Sequence, residues 1–105
     1  MKYILGPDGR TPEPIEDVAA WGRWFEKADR TVANDSVGNT SVSTVFIGLD
    51  MGLKSAPLLF ETMVFGGGLA DSEWRYATWE EAEEGHRNVL ALAHTYNDLH
   101  IKETV

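Results

Sequence analysis

The chain has no cysteine. That excludes a disulfide scaffold, a cysteine-liganded zinc ribbon or finger, and thiol catalysis. It is also short of positive charge. Lys and Arg number 9 against 17 Asp and Glu, for a formal net charge of −8 with His neutral. A phosphate-backbone binder needs a basic face, so direct nucleic-acid binding is not expected, and neither is attraction to anionic lipid. No apolar run approaches the ~20 residues that span a bilayer. The apolar start over residues 1–5 breaks at Gly6-Pro7-Asp8-Gly9, too early for a signal peptide. The expected setting is the cytoplasm, with no membrane contact. No repeat or low-complexity tract is present.

What is there suits one globular domain over residues 1–105. Hydrophobic residues make up 43% and charged residues 25%, too apolar a mixture for a disordered chain. Four Trp, three Tyr and four Phe point to an aromatic-rich core.

Residues 2–5 read as a short strand, followed by a turn at Pro7-Asp8-Gly9-Arg10. Residues 14–30 read as a helix, with Pro14 in its first turn and an apolar stripe of Ile15, Val18, Ala19, Gly22 and Phe25. Trp21 and Trp24 widen that stripe. Both are expected to complete the core; alternatively one of them is partly exposed, where Trp is a favoured interface anchor. Residues 32–37 and 40–49 flank Gly38-Asn39, a hairpin signal. Residues 58–65 form the strongest strand, stopped by Gly66-Gly67-Gly68, and residues 73–77 alternate as another. Thr78-Trp79-Glu80-Glu81 matches a capping box, with Glu81 reaching back to Thr78. The helix it opens carries Trp79, Ala82, His86, Val89, Leu90 and Ala93 as its buried stripe and is expected to end near Tyr96-Asn97-Asp98. The expected fold is α+β: a four- or five-stranded, mainly antiparallel sheet packed with two helices.

Several constellations bear on function. Glu61 sits inside an apolar strand, Asp50 at the end of another, and His86 on the apolar stripe of the last helix. Glu61 with His86 would make an acid–base pair. Alternatively, Glu61 faces solvent, or His86 is a core histidine hydrogen-bonded to a strand group. Glu83 and His86 form one E-x-x-H, whereas di-metal carboxylate sites use two. His86, His94 and His100 lack the i, i+4 spacing of a two-imidazole site. No metal or cofactor is therefore expected. Gly66-Gly67-Gly68 lacks the lysine and hydroxyl of a P-loop and reads as a hairpin loop. Arg75, between Trp74 and Tyr76, suits a cross-strand pair with an acid. Glu80, Glu81, Glu83 and Glu84 crowd the first turns of the last helix. They complement the helix dipole, and they also suit docking to a basic protein surface or mimicry of nucleic-acid phosphate.

Three segments carry a resemblance. They are Val42-Ser43-Thr44-Val45-Phe46-Ile47-Gly48-Leu49-Asp50, then Pro57-Leu58-Leu59-Phe60-Glu61-Thr62-Met63-Val64-Phe65-Gly66-Gly67, then Arg75-Tyr76-Ala77-Thr78-Trp79-Glu80-Glu81-Ala82 up to Gly85-His86. Together with Trp21, Trp24-Phe25 and Asp29-Arg30, they resemble an uncharacterised family of small proteins encoded by bacteriophages and prophages. The resemblance spans about residues 20–90. It implies a phage-like origin and a host bacterial cytoplasm, and it brings no activity or site residues. Many of these relatives have His after Gly-Leu-Asp. Met51 stands there instead, which argues against an Asp–His site at that loop.

The leading functional expectation is a small acidic accessory protein that binds a host or phage protein, in the manner of an anti-defence inhibitor. Glu80, Glu81, Glu83, Glu84, Trp21 and Trp24 are its candidate contact residues. One alternative is a small enzyme or ligand-binding domain using Glu61 and His86. The other is a structural or self-associating domain, a homodimer, whose two-sided apolar strands are covered by a second copy.

Overall fold

A computed structural model describes residues 1–50 and 56–103, with side chains to residue 99. Met51 and the rest of 51–55 lie outside the described residues. The fold is α+β, with two helices and six strands in two antiparallel sheets.

The first sheet is a hairpin of β1 (Lys2–Leu5) and β2 (Pro12–Ile15). Pro14 and Ile15 thus end a strand where the sequence predicts the first turn of a helix over residues 14–30. Pro14 and Pro12 face Tyr3 and Leu5 across the ladder. The Tyr3 N–H points away from β2, donating to the Gly48 carbonyl at 2.8 Å. The prolines therefore occupy non-hydrogen-bonded positions, where a missing N–H costs nothing. In the turn, the Asp8 carboxylate accepts the N–H groups of Arg10 and Thr11 and the Thr11 hydroxyl. These bonds hold its pKa down at about 2, with the Thr11 hydroxyl the largest cause.

Helix α1 (Val18–Lys27) starts three residues after β2, capped by Asp17, whose carboxylate accepts the Ala20 N–H. The predicted stripe is rotated: Val18 is exposed, while Trp21, Trp24 and Phe25 turn inward.

The second sheet is a four-stranded meander: β3 (Thr31–Val37), β4 (Thr40–Phe46), β5 (Phe60–Phe65) and β6 (Glu73–Tyr76). Helix α2 (Trp79–Glu103) crosses all four strands on one face. Thr78 caps it by accepting the Glu81 N–H, while the Glu81 carboxylate accepts the Ala77 N–H, one residue short of the box read from sequence. The helix continues past Tyr96-Asn97-Asp98 to Glu103 because no Gly or Pro stops it. No helix among the described residues is long and apolar enough to cross a membrane.

The core beneath α2 falls into two apolar clusters. One holds Leu5, Phe46, Leu59, Phe60 and Ala82, with Trp24, Tyr76 and Trp79 packed around it. The other holds Val37, Val42, Val64, Val89 and Ala93, with Leu69, Trp74 and Leu90. Along each element the residue between the clusters is polar: Asp35 in β3, Thr44 in β4, Thr62 in β5 and His86 in α2. A single polar band therefore divides the core.

Candidate functional site

Strand parity builds this band. Thr44 lies two residues from both Val42 and Phe46, and Thr62 two from both Phe60 and Val64, so both hydroxyls share the buried face. The register sets Thr44 opposite Thr62. Both are fully buried, and His86 is 3% exposed. Asp35 shares parity with Val37 on edge strand β3, so its carboxylate reaches under α2 while its side chain stays half exposed.

The contacts form one chain. The Tyr76 phenol donates to Thr62 Oγ1 at 3.1 Å. Thr62 Oγ1 and Thr44 Oγ1 lie 2.5 Å apart. Thr44 Oγ1 is 2.7 Å from His86 Nδ1, and His86 Nε2 is 2.8 Å from Asp35 Oδ2. One set of hydrogens satisfies every group. Tyr76 donates to Thr62, Thr62 to Thr44, Thr44 to His86 Nδ1, and His86 Nε2–H to the Asp35 carboxylate.

Hydroxyl, imidazole and carboxylate in sequence resemble a nucleophilic triad in composition, but the arrangement differs in two ways. In the serine-protease triad Nε2 faces the nucleophile and Nδ1 the carboxylate, the reverse of the order here. Moreover, Thr44 is sealed, with no exposed surface for an attacking oxygen. What the band does is satisfy buried polar groups and fix how α2 sits on the sheet.

Glu61 does not join it. As the neighbour of Thr62 it projects to the opposite face, where Arg75 stands across from it and donates from Nε to Oε2 at 3.0 Å. Glu61 and His86 are thus separated by the sheet, which overturns the acid–base pair read from sequence. The expected cross-strand partner for Arg75 is present. Asp50 follows a bridge between Leu49 and Lys2, and its N–H donates to the Met1 carbonyl. The carboxylate that holds His86 is Asp35, which the sequence reading missed within a polar outer strand. Its shared parity with Val37 is the signal that identifies it. Glu83 is half-buried, and the described residues contain no group of three or more potential metal ligands.

Both helix-one tryptophans are half-buried and engaged. The Trp21 Nε1–H donates to the Tyr3 carbonyl at 3.0 Å, and its ring lies 4.8 Å from that of Phe25. Trp24 meets Phe46 edge-on at 5.8 Å. Glu80, Glu81 and Glu84 are exposed. None of Glu80, Glu81, Glu83 and Glu84 has an ion-pair partner among the described residues.

Comparison of the chain with protein-family models, curated proteins and solved structures finds no match.

Proposed function

We propose that this chain is a phage-type accessory protein that acts by binding another protein, and that the acidic first turns of α2 lead the contact. The observation that carries this reading is the unneutralised cluster Glu80, Glu81, Glu83 and Glu84. Several cations of the chain are already committed elsewhere. Arg75 pairs with Glu61, Arg30 donates to the Phe46 carbonyl beside the Phe25 ring, and Arg10 and Lys2 lie over Trp79 and Trp21. A net charge of −8 adds long-range attraction for a basic surface. Resemblance to phage-encoded proteins makes a host protein the partner class, with inhibition of a defence component as the corresponding activity. Trp21 and Trp24 serve the packing of α1, so the contact is led by charge.

The enzyme alternative loses its acid–base pair, because Glu61 and His86 lie on opposite faces of the sheet. Self-association through the sheet is also weakened. Among the described residues no element packs on the face opposite α2. That face mixes Val45, Met63 and the exposed Phe65 with Asn34, Ser36, Ser41, Ser43 and the Glu61–Arg75–Glu73 ladder, a composition suited to solvent.

The test is capture of a partner from bacterial lysate at low and high salt, using the full chain and a variant with all four glutamates changed to Gln. The expected result is a stoichiometric partner held by the native chain at low salt and lost by the variant, whose circular dichroism is unchanged. Equal capture by both chains would overturn the reading.

A further inference from the structure

At the far end of α2 from the acidic turns, the β3–β4 turn, the β5–β6 turn and the helix enclose a half-open cleft of about 230 Å³. It is lined by Asn39, Thr40, Gly67, Gly68, Tyr96 and Asn97. We propose that this cleft is a binding site for a single uncharged sugar ring.

The described lining favours one chemistry over others. Among the described residues no Lys, Arg or His borders the cleft to offset the charge of a phosphate or carboxylate. Among the same residues no Asp or Glu borders it to pair with an amine or metal cation. Ligand pockets are usually lined mainly by apolar and aromatic side chains, and nucleobases are held by stacking between such groups. Here the described lining has one aromatic residue and no aliphatic side chain. What remains is two carboxamides, a hydroxyl, a phenol and glycine backbone. A carboxamide offers a donor and an acceptor side by side, and a hydroxyl offers both on one atom. Neighbouring sugar hydroxyls present the same alternation. The side chains of Asn39, Thr40 and Asn97 have no hydrogen-bond partner among the described residues. The volume lies below the ~300–1,000 Å³ of pockets for drug-sized ligands, which limits the ligand to about one ring.

The glycines make the space. A Cβ at Gly67 would lie 2.3 Å from Thr40 Oγ1, and one at Gly68 would lie 1.8 Å from the Tyr96 phenol oxygen. Gly67 also has φ of +73°, a conformation side chains rarely adopt. Any larger residue would press into the polar groups that line the cleft. The Gly-rich loop thus serves as a wall and not merely as a turn.

The site is tested by titrating the isotope-labelled full chain with D-glucose, D-galactose, D-mannose and N-acetyl-D-glucosamine in turn, with adenosine and inorganic phosphate as comparisons. Backbone amide signals of Gly67 and Gly68 and side-chain amide signals of Asn39 and Asn97 are followed by NMR. At least one sugar is expected to shift these signals saturably, and neither comparison compound is. Asn39→Ala and Asn97→Ala are each expected to weaken that binding about tenfold, as for loss of one hydrogen bond, with the remaining spectrum unchanged. The proposal is overturned if no sugar shifts these signals saturably, if adenosine or phosphate does so instead, or if both variants bind as the native chain does. Protein partner capture is independent of these residues, so either result leaves that question separate.

Discussion

His86 is the residue on which the two halves of the core meet. Its ring satisfies a buried threonine on one side and a half-exposed carboxylate on the other. The ends of this chain should respond differently to substitution. Thr44→Val removes the donor to Nδ1 and the acceptor for Thr62 while keeping the shape, and should lower stability by about 1–3 kcal/mol in urea unfolding. Asp35→Asn keeps an oxygen that can accept the Nε2–H at a half-exposed position, and should cost less than about 1 kcal/mol. Equal losses would show that the carboxylate charge, and not the hydrogen bond, holds the ring. The sequence placed His86 on a buried helical stripe, but its partner was not legible there. Glu61 and Thr62 are adjacent, so the two-residue period sends one to Arg75 and the other to the band. Asp35 was hidden because β3 is polar almost throughout, and parity becomes informative only once the register with β4 is known.

Asp8 offers a second residue-scale test. Its pKa is lowered from 3.8 to about 2 by the Thr11 hydroxyl and the turn N–H groups. A lowered folded pKa means that the carboxylate stabilises the turn at pH above the unfolded value. That contribution fades as pH falls from about 4 through 2. The Asp8 carboxyl carbon should titrate near pH 2 by NMR, below the ordinary aspartate value of 3.8, and Thr11→Val should move it upward. An unshifted midpoint would show that the turn bonds do not persist in solution.

At the scale of elements, periodicity located every strand and helix of the second sheet and its cover, including the hairpin at Gly38. It failed at two ends where the deciding information is tertiary. Residues 14–15 look like a helix start because Pro14 suits one. They form a strand because β1 turns its Tyr3 N–H toward Gly48 and leaves Pro14 nothing to donate to. The end of α2 is expected near Tyr96-Asn97-Asp98, but no Gly or Pro stops the helix there and it continues to Glu103, with Asn97 lining the cleft. Gly85 is the element-scale position most open to test. Within a helix interior Gly is about 1 kcal/mol worse than Ala, yet a Cβ there would lie 2.2 Å from the Tyr76 ring. Gly85→Ala should therefore destabilise the protein by about 1–3 kcal/mol in thermal or urea unfolding, as overpacking does. A gain in stability would mean that α2 does not sit this close to β6.

Taken whole, the molecule measures 56 × 29 × 21 Å, elongated along one axis. It separates its features. The polar band is closed within the core, the acidic turns open α2, and the neutral cleft lies about 18 Å further along the same helix. Charge and composition were readable from the sequence, and the proposed contact at the acidic turns of α2 follows from them. The cleft was not readable, because its lining comes from two turns and a helix that the sequence does not place together.

The proposal of charge-led protein binding is tested most directly by the salt dependence of affinity for the captured partner. The native chain and the four-glutamine variant would be compared from low to high ionic strength. The native affinity should fall steeply with salt, while the variant binds weakly with a shallow slope, because short Debye lengths screen exposed charges. Parallel slopes with equal affinities would contradict the proposal and move the contact away from Glu80, Glu81, Glu83 and Glu84.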